Sequence, residues 1–161
     1  MRNFILLFTA ALFVGCASPG VQVTTDDEKS QAIKAAYDGY LVNDFTASNE
    51  LYSDETAIYI NSVETISKEE NIAAFSSHHD FYTDISMSRT YIQTSAYDND
   101  LGTWTHAWFV WKGTGKASGN TFEVPCHVAY QWGEDGKIAQ TWFFSDQSNH
   151  LKELAAAGVE L

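Results

Sequence analysis

The sequence predicts an α+β fold, with N-terminal helices packed on a strongly curved antiparallel sheet, and three observations predict it. Apolar residues recur at helical spacing through the first half of the chain. They alternate with period two through the second half, and Gly/Asn/Asp clusters separate the alternating runs. With 161 residues, 45% apolar and 14% aromatic, the chain has room for one core and enough apolar surface to offset its ordering entropy. A net charge of −12 without any Lys/Arg cluster leaves no positive footprint for counterion release, which argues against nucleic acid as a partner.

The N-terminus reads as an address. Arg2 precedes an apolar run from Phe4 to Val14, followed by Gly15, Cys16, Ala17 and Ser18. This is a charged segment, a short apolar core and a small-residue cleavage site, too short to span a bilayer. The segment Phe13-Val14-Gly15-Cys16 resembles the bacterial lipobox, with Phe13 where Leu is usual. The resemblance implies a signal peptide over residues 1–15, lipidation of Cys16, a tether over 16–27 and a domain over 28–161. With Ala17 after the cysteine it also implies a lipid-anchored protein of the bacterial cell envelope, sorted to the outer membrane, whose only membrane contact is the anchor. Once Cys16 is committed to lipid, Cys126 is single and reads as a buried, inert thiol.

In the domain, Ile33, Tyr37, Tyr40, Leu41 and Phe45 mark a helix starting near Ser30 with two tyrosines on its inner face. A short helix from Thr46 to Tyr52 and a strand from Ala57 to Ile60 follow. Ser67 and Glu70 form a capping box for a third helix that runs to His78 or His79. His78 and His79 then read as solvated residues complementing the helix dipole. Ile85, Met87, Arg89 and Tyr91 alternate as a strand, and Asp98 to Gly102 turn the chain. Strands follow over Trp104–Lys112, Thr121–Trp132 and Lys137–Ser145, joined by a loop over Gly113–Asn120 and a tight turn over Gly133–Gly136. A short helix with Leu151 and Leu154 ends the chain, and His150 within it carries no argument.

This order of elements, with Asp135-Gly136-Lys137-Ile138 leading into a strand that ends Phe143-Phe144-Ser145-Asp146, resembles the SnoaL-like domains of the nuclear transport factor 2-like superfamily. The resemblance covers residues 28–157. It implies a cone-shaped domain that houses isomerases, cyclases, dehydratases, hydrolases and non-catalytic binders alike, so that the fold does not choose among them. The strand position nearest the catalytic Asp of the related ketosteroid isomerase is Val128, with His127 beside it, so isomerase chemistry does not transfer.

Counting back from symmetric turns places His106 opposite His127, His127 opposite Trp142, and Glu123 opposite Asp146. One sheet face then carries Trp104, His106, Trp108, Glu123, His127, Trp142, Phe144 and Asp146. The other carries Ala107, Phe109, Trp111, Phe122, Val124, Cys126, Val128, Tyr130 and Phe143. The first mixes aromatic walls with titratable groups and is the expected wall of a cavity for a small, largely apolar organic ligand, with Tyr37 and Tyr40 facing it. The second, nearly pure hydrophobe, is the expected seam of a homodimer. For catalysis the candidates are His127 as base, with Asp146 or Glu123 orienting it and a tyrosine as oxyanion donor. Neither a cofactor nor a metal is expected: His106 and His127 could join a carboxylate around an ion, but no ligand spacing imposes one. Three functions therefore stand: a ligand-binding lipoprotein, an isomerase, cyclase, dehydratase or hydrolase using His127, and a non-catalytic dimeric interaction module.

Overall fold

The computed structural model describes residues 20–160, so the lipobox and Cys16 lie outside the described residues. The first helix, α1 (Glu28–Leu41), starts two residues before its expected start because the Asp27 side chain accepts from the backbone N–H groups of Lys29 and Ser30. Helix α2 (Thr46–Leu51) follows as expected. The capping box of Ser67 and Glu70 is present and opens α3 (Lys68–Phe81), and α4 (Ser148–Ala156) closes the chain.

Seven strands form one sheet: β1 (Gln22–Thr24), β2 (Tyr52–Ile60), β3 (Thr65–Ile66), β4 (Tyr82–Ala96), β5 (Thr103–Gly115), β6 (Thr121–Trp132) and β7 (Ile138–Ser145). Their spatial order is β1-β4-β5-β6-β7-β2-β3. Three features depart from expectation. Residues 22–24, read as tether, pair with the edge of β4. Strand β2 begins at Tyr52 and runs parallel to β7, so the sheet is mixed. Strand β4 is broken by two bulges, with Asp84 and Arg89 at positive φ. An extra residue reverses the alternation. Met87 therefore pairs with Trp111 on one face while Tyr91, four residues on, pairs with Trp108 on the other. These bulges also add local bend to the sheet.

Helix α1 is docked by a chain of donors that points one way. The Trp132 indole can only donate, and it bonds Thr105 Oγ1 at 2.8 Å. Thr105 is 2.9 Å from Thr94, Thr94 is 3.0 Å from Ser30, and Ser30 bonds the Asp27 carboxylate. Each hydroxyl accepts one bond and donates the next, so the chain ends on the only pure acceptor in it. Burial pushes the Asp27 carboxyl up, but the bonds from Ser30, Thr24 and Thr94 outweigh it and hold the group well below the usual carboxylate range. The apolar core lies between this helix and the sheet, with Ile33, Ile58, Ala107 and Ile138 almost fully buried.

Candidate functional site

A cavity of about 250 Å³ opens between α1, α3, the first turn of α4 and the sheet. Its floor is the nearly pure hydrophobic face: Phe109 and Trp111 from β5, Phe122, Val124, Cys126, Val128 and Tyr130 from β6, and Phe143 from β7. Tyr37 and Tyr40, one turn apart on α1, both point into it. Tyr37 and Tyr130 share a hydroxyl–hydroxyl bond of 3.0 Å at the closed end, where burial raises both phenols far above their ordinary range.

Two tyrosine–histidine pairs form the polar end. Trp111 donates to Tyr40 Oη at 2.7 Å, and Tyr40 is left to donate its own hydrogen to Nδ1 of His78 at 2.9 Å. That leaves the His78 hydrogen on Nε2. Burial, with His150 and His79 nearby, pulls the His78 pKa down to about 4, so the ring is neutral at pH 7. The second pair joins Tyr82 Oη to Nδ1 of His150 at 3.0 Å, and the rings of His78 and His150 lie 5.2 Å apart. Burial lowers the His150 pKa as well, and burial with the Glu153 carboxylate raises Tyr82 to about 12. His79 points back instead, its Nε2 donating to the Tyr40 carbonyl at 2.8 Å and tying α3 to α1. Cys126 lies in the floor with its thiol pushed up to about 11 by burial. The described lining residues include no Lys or Arg, and their one acid, Asp146, is exposed at the rim.

No family model and no curated protein matches the chain. Among solved structures, a candidate polyketide cyclase from Xanthomonas campestris pv. campestris superposes with a TM-score of 0.61 at 15% identity, over 78% of this chain and 95% of that one. A second candidate polyketide cyclase, from Pseudomonas putida KT2440, gives 0.59 at 17% identity over 76% and 94%. A protein described as having a ketosteroid isomerase-like fold, from Catenulispora acidiphila, gives 0.52 at 14% identity over 81% and 94%. This chain has the nuclear transport factor 2-like fold. At these identities the likeness establishes the fold alone.

In this nuclear transport factor 2-like cone the expected site residues are divided between the two sides of the sheet. Tyr37 and Tyr40 line the cavity as expected. Trp104, His106, Trp108, Glu123, His127, Trp142 and Phe144 do not: they sit on the opposite, convex face, and the assignment of the two faces is reversed. The reason is that the helices bury whichever face offers the larger continuous apolar area, and that is the Phe109/Val128/Phe143 face. Register departs as well. Strand β5 runs to Gly115, so Lys112 pairs with Glu123 and Trp108, not His106, lies opposite His127. Likewise His127 pairs with Phe144 and not with Trp142. Both slips are of two residues, which moves partners but keeps each side chain on its face. Asp146 lies beyond the end of β7, exposed, where its carboxylate accepts from the Ser148 N–H at 2.9 Å. It borders the cavity, across the sheet from His127, so no His127–carboxylate pair forms. His78 and His150, read as a helix cap and as uninformative, are the histidines of the cavity. The Tyr82 that orients His150 stands at the helix–strand junction, where no periodicity marks it.

The convex face is a continuous aromatic surface. His106 Nδ1 and His127 Nε2 are 3.2 Å apart and the ring planes differ by 7°. Their centroids are 5.4 Å apart, more than the nitrogen separation by about the width of an imidazole, so the rings lie edge to edge in one plane. Trp104, Trp108, Phe144 and Trp142 continue with neighbouring planes within 20° of each other. Tyr91, Trp108 and Phe144 are 51%, 37% and 46% exposed, an unusual amount of aromatic surface for water to meet. Among the described residues no three His, Cys, Asp or Glu side chains are grouped to hold a metal ion.

Proposed function

We propose that this domain binds a small, neutral, largely apolar molecule carrying one carbonyl or hydroxyl group, as a lipoprotein held in the cell envelope through Cys16. The observation that carries the reading is the charge pattern of the cavity. Its walls are aromatic and aliphatic, and every buried polar group among them is uncharged: the two tyrosine–histidine pairs, the Tyr37–Tyr130 hydroxyls, Asn71 and Thr141. Such walls leave a buried anion or cation uncompensated, whereas one polar head can be bonded by His78 Nε2–H while its body lies against Phe109, Val128 and Phe143.

A second reading, proton transfer next to a carbonyl, is favoured by the 5.2 Å approach of the two imidazoles. Such a reaction needs a hydrogen-bond donor at the oxygen and a base at the carbon. His78, kept neutral with its hydrogen on Nε2, suits the first role, and His150 is the basic group across from it. The convex face supports a further proposal, a homodimer joined through the sheet: its centre is aromatic and free of charge in a chain of net charge −12.

Calorimetric titration with 2-naphthol and with 2-naphthoate tests the ligand reading. Naphthol should bind, naphthoate at least about tenfold more weakly because its charge would be buried without a partner, and Cys126→Phe should abolish both by filling the cavity. Equal binding of the two probes, or binding unaffected by Cys126→Phe, would refute it.

A further inference from the structure

Helix α4 is attached in an unusual way. It supplies His150 to the cavity, yet its one buried residue is a glutamate, Glu153, with no exposed surface at all. Leu151, an apolar residue of the kind that normally anchors a helix, is 47% exposed. Glu153 Oε1 accepts from the backbone N–H groups of Ala117 and Ser118, at 2.7 and 3.3 Å, in the turn that joins β5 to β6. Its other oxygen, Oε2, is buried without a partner. The carboxylate fits there because residue 115 is glycine: a Cβ at Gly115 would stand 2.1 Å from Oε2. The other contacts of α4 are the Tyr82–His150 bond, the packing of the His150 ring against Tyr82 and His78, and the half-buried Leu154.

A helix anchored by apolar burial releases only when its core opens. One whose only fully buried side chain is a half-satisfied carboxylate belongs to the low-stability end of the molecule, from which doors to binding sites are drawn. The attachment points lie on either side of the chain's path: Glu153 grips the β5–β6 turn and, one helical turn earlier, His150 faces His78. Loss of the first grip therefore moves the second.

We infer that α4 is a hinged door to the cavity and that Glu153 is its latch and the positioning residue for His150. The door opens by release of Ala117 and Ser118, admits the ligand past Gln147 and Asn149, and on closing restores His150 to Tyr82 and His78. The inference rests on the ligand-binding reading for its purpose but not for its mechanics.

The experiment compares wild type with Glu153→Ala by amide hydrogen exchange, by NMR titration of the His150 ring, and by stopped-flow binding of 2-naphthol. Expected are exchange about 10- to 100-fold faster throughout α4, the range that loss of bonds to a charged group implies, with protection in β5 and β6 unchanged. The His150 pKa should rise toward its ordinary value, and naphthol should enter and leave faster. Glu153→Gln, which keeps an oxygen for the two amides, should restore most of α4 protection and the His150 titration. If Glu153→Ala does not fold, Gly115→Ala reaches the same state by expelling the carboxylate. Unchanged α4 exchange, or α4 and the sheet losing protection together, would overturn the latch. If no variant binds naphthol while the exchange and His150 arms behave as expected, the ligand reading fails and the latch stands.

Discussion

Replacing His78 by glutamine should flatten the acid side of the stability profile, and the size of the effect follows from the burial of one ring. A folded pKa of about 4 against an ordinary 6.5 means that, between those values, the unfolded chain binds a proton that the folded chain refuses. Stability therefore rises with pH across this window and is lost as pH falls from about 6.5 to about 4. At 1.36 kcal/mol per pKa unit, His78 contributes up to about 3 kcal/mol of that loss. Glutamine can still accept from Tyr40 but cannot titrate. Urea unfolding of wild type and His78→Gln at half-unit steps from pH 7 to pH 4 isolates the residue, because His106, His127, His150 and every carboxylate titrate in both proteins. The stability difference between the two should change by about 3 kcal/mol in favour of the variant on going from pH 7 to pH 4. Curves that stay parallel within about 0.5 kcal/mol, the ordinary scale of a surface substitution, would refute the claim that the site holds a neutral imidazole against protonation.

Trp108→Asp places a charge in the middle of the convex aromatic surface, where each copy would meet its own image. Sedimentation velocity should show monomer for the variant and dimer for wild type, with naphthol affinity unchanged because Trp108 does not line the cavity; a wild-type monomer ends the dimer proposal. Mass spectrometry of the protein expressed in a bacterium with its native N-terminus should find acyl mass on a fragment beginning at Cys16, and an unmodified N-terminus at another position ends the anchor proposal.

Much of the fold is written locally. The capping box at Ser67 and Glu70, the tyrosines at Tyr37 and Tyr40 and the tight turn at Gly136, where φ is +77°, each follow from residues within one turn of each other. Composition of the two sheet faces is also legible, since an error of two residues in register leaves every side chain on its side. The strands that escaped notice, Gln22–Thr24 and Thr65–Ile66, are too short to show alternation and exist because a neighbouring edge offers unpaired backbone groups.

What the chain determines by itself is thus the α+β layering, the two contrasting sheet faces and an inward-facing pair of tyrosines, because these depend on periods of 3.6 and 2 read over a few residues. Which face becomes the wall of the cavity was decided only in three dimensions, by the side on which α1 and α3 bury the larger apolar area. The same holds for the site: Tyr40 with His78 and Tyr82 with His150 are separated by 38 and 68 residues, and no spacing along a chain records that a helix end, a strand start and a C-terminal helix will meet.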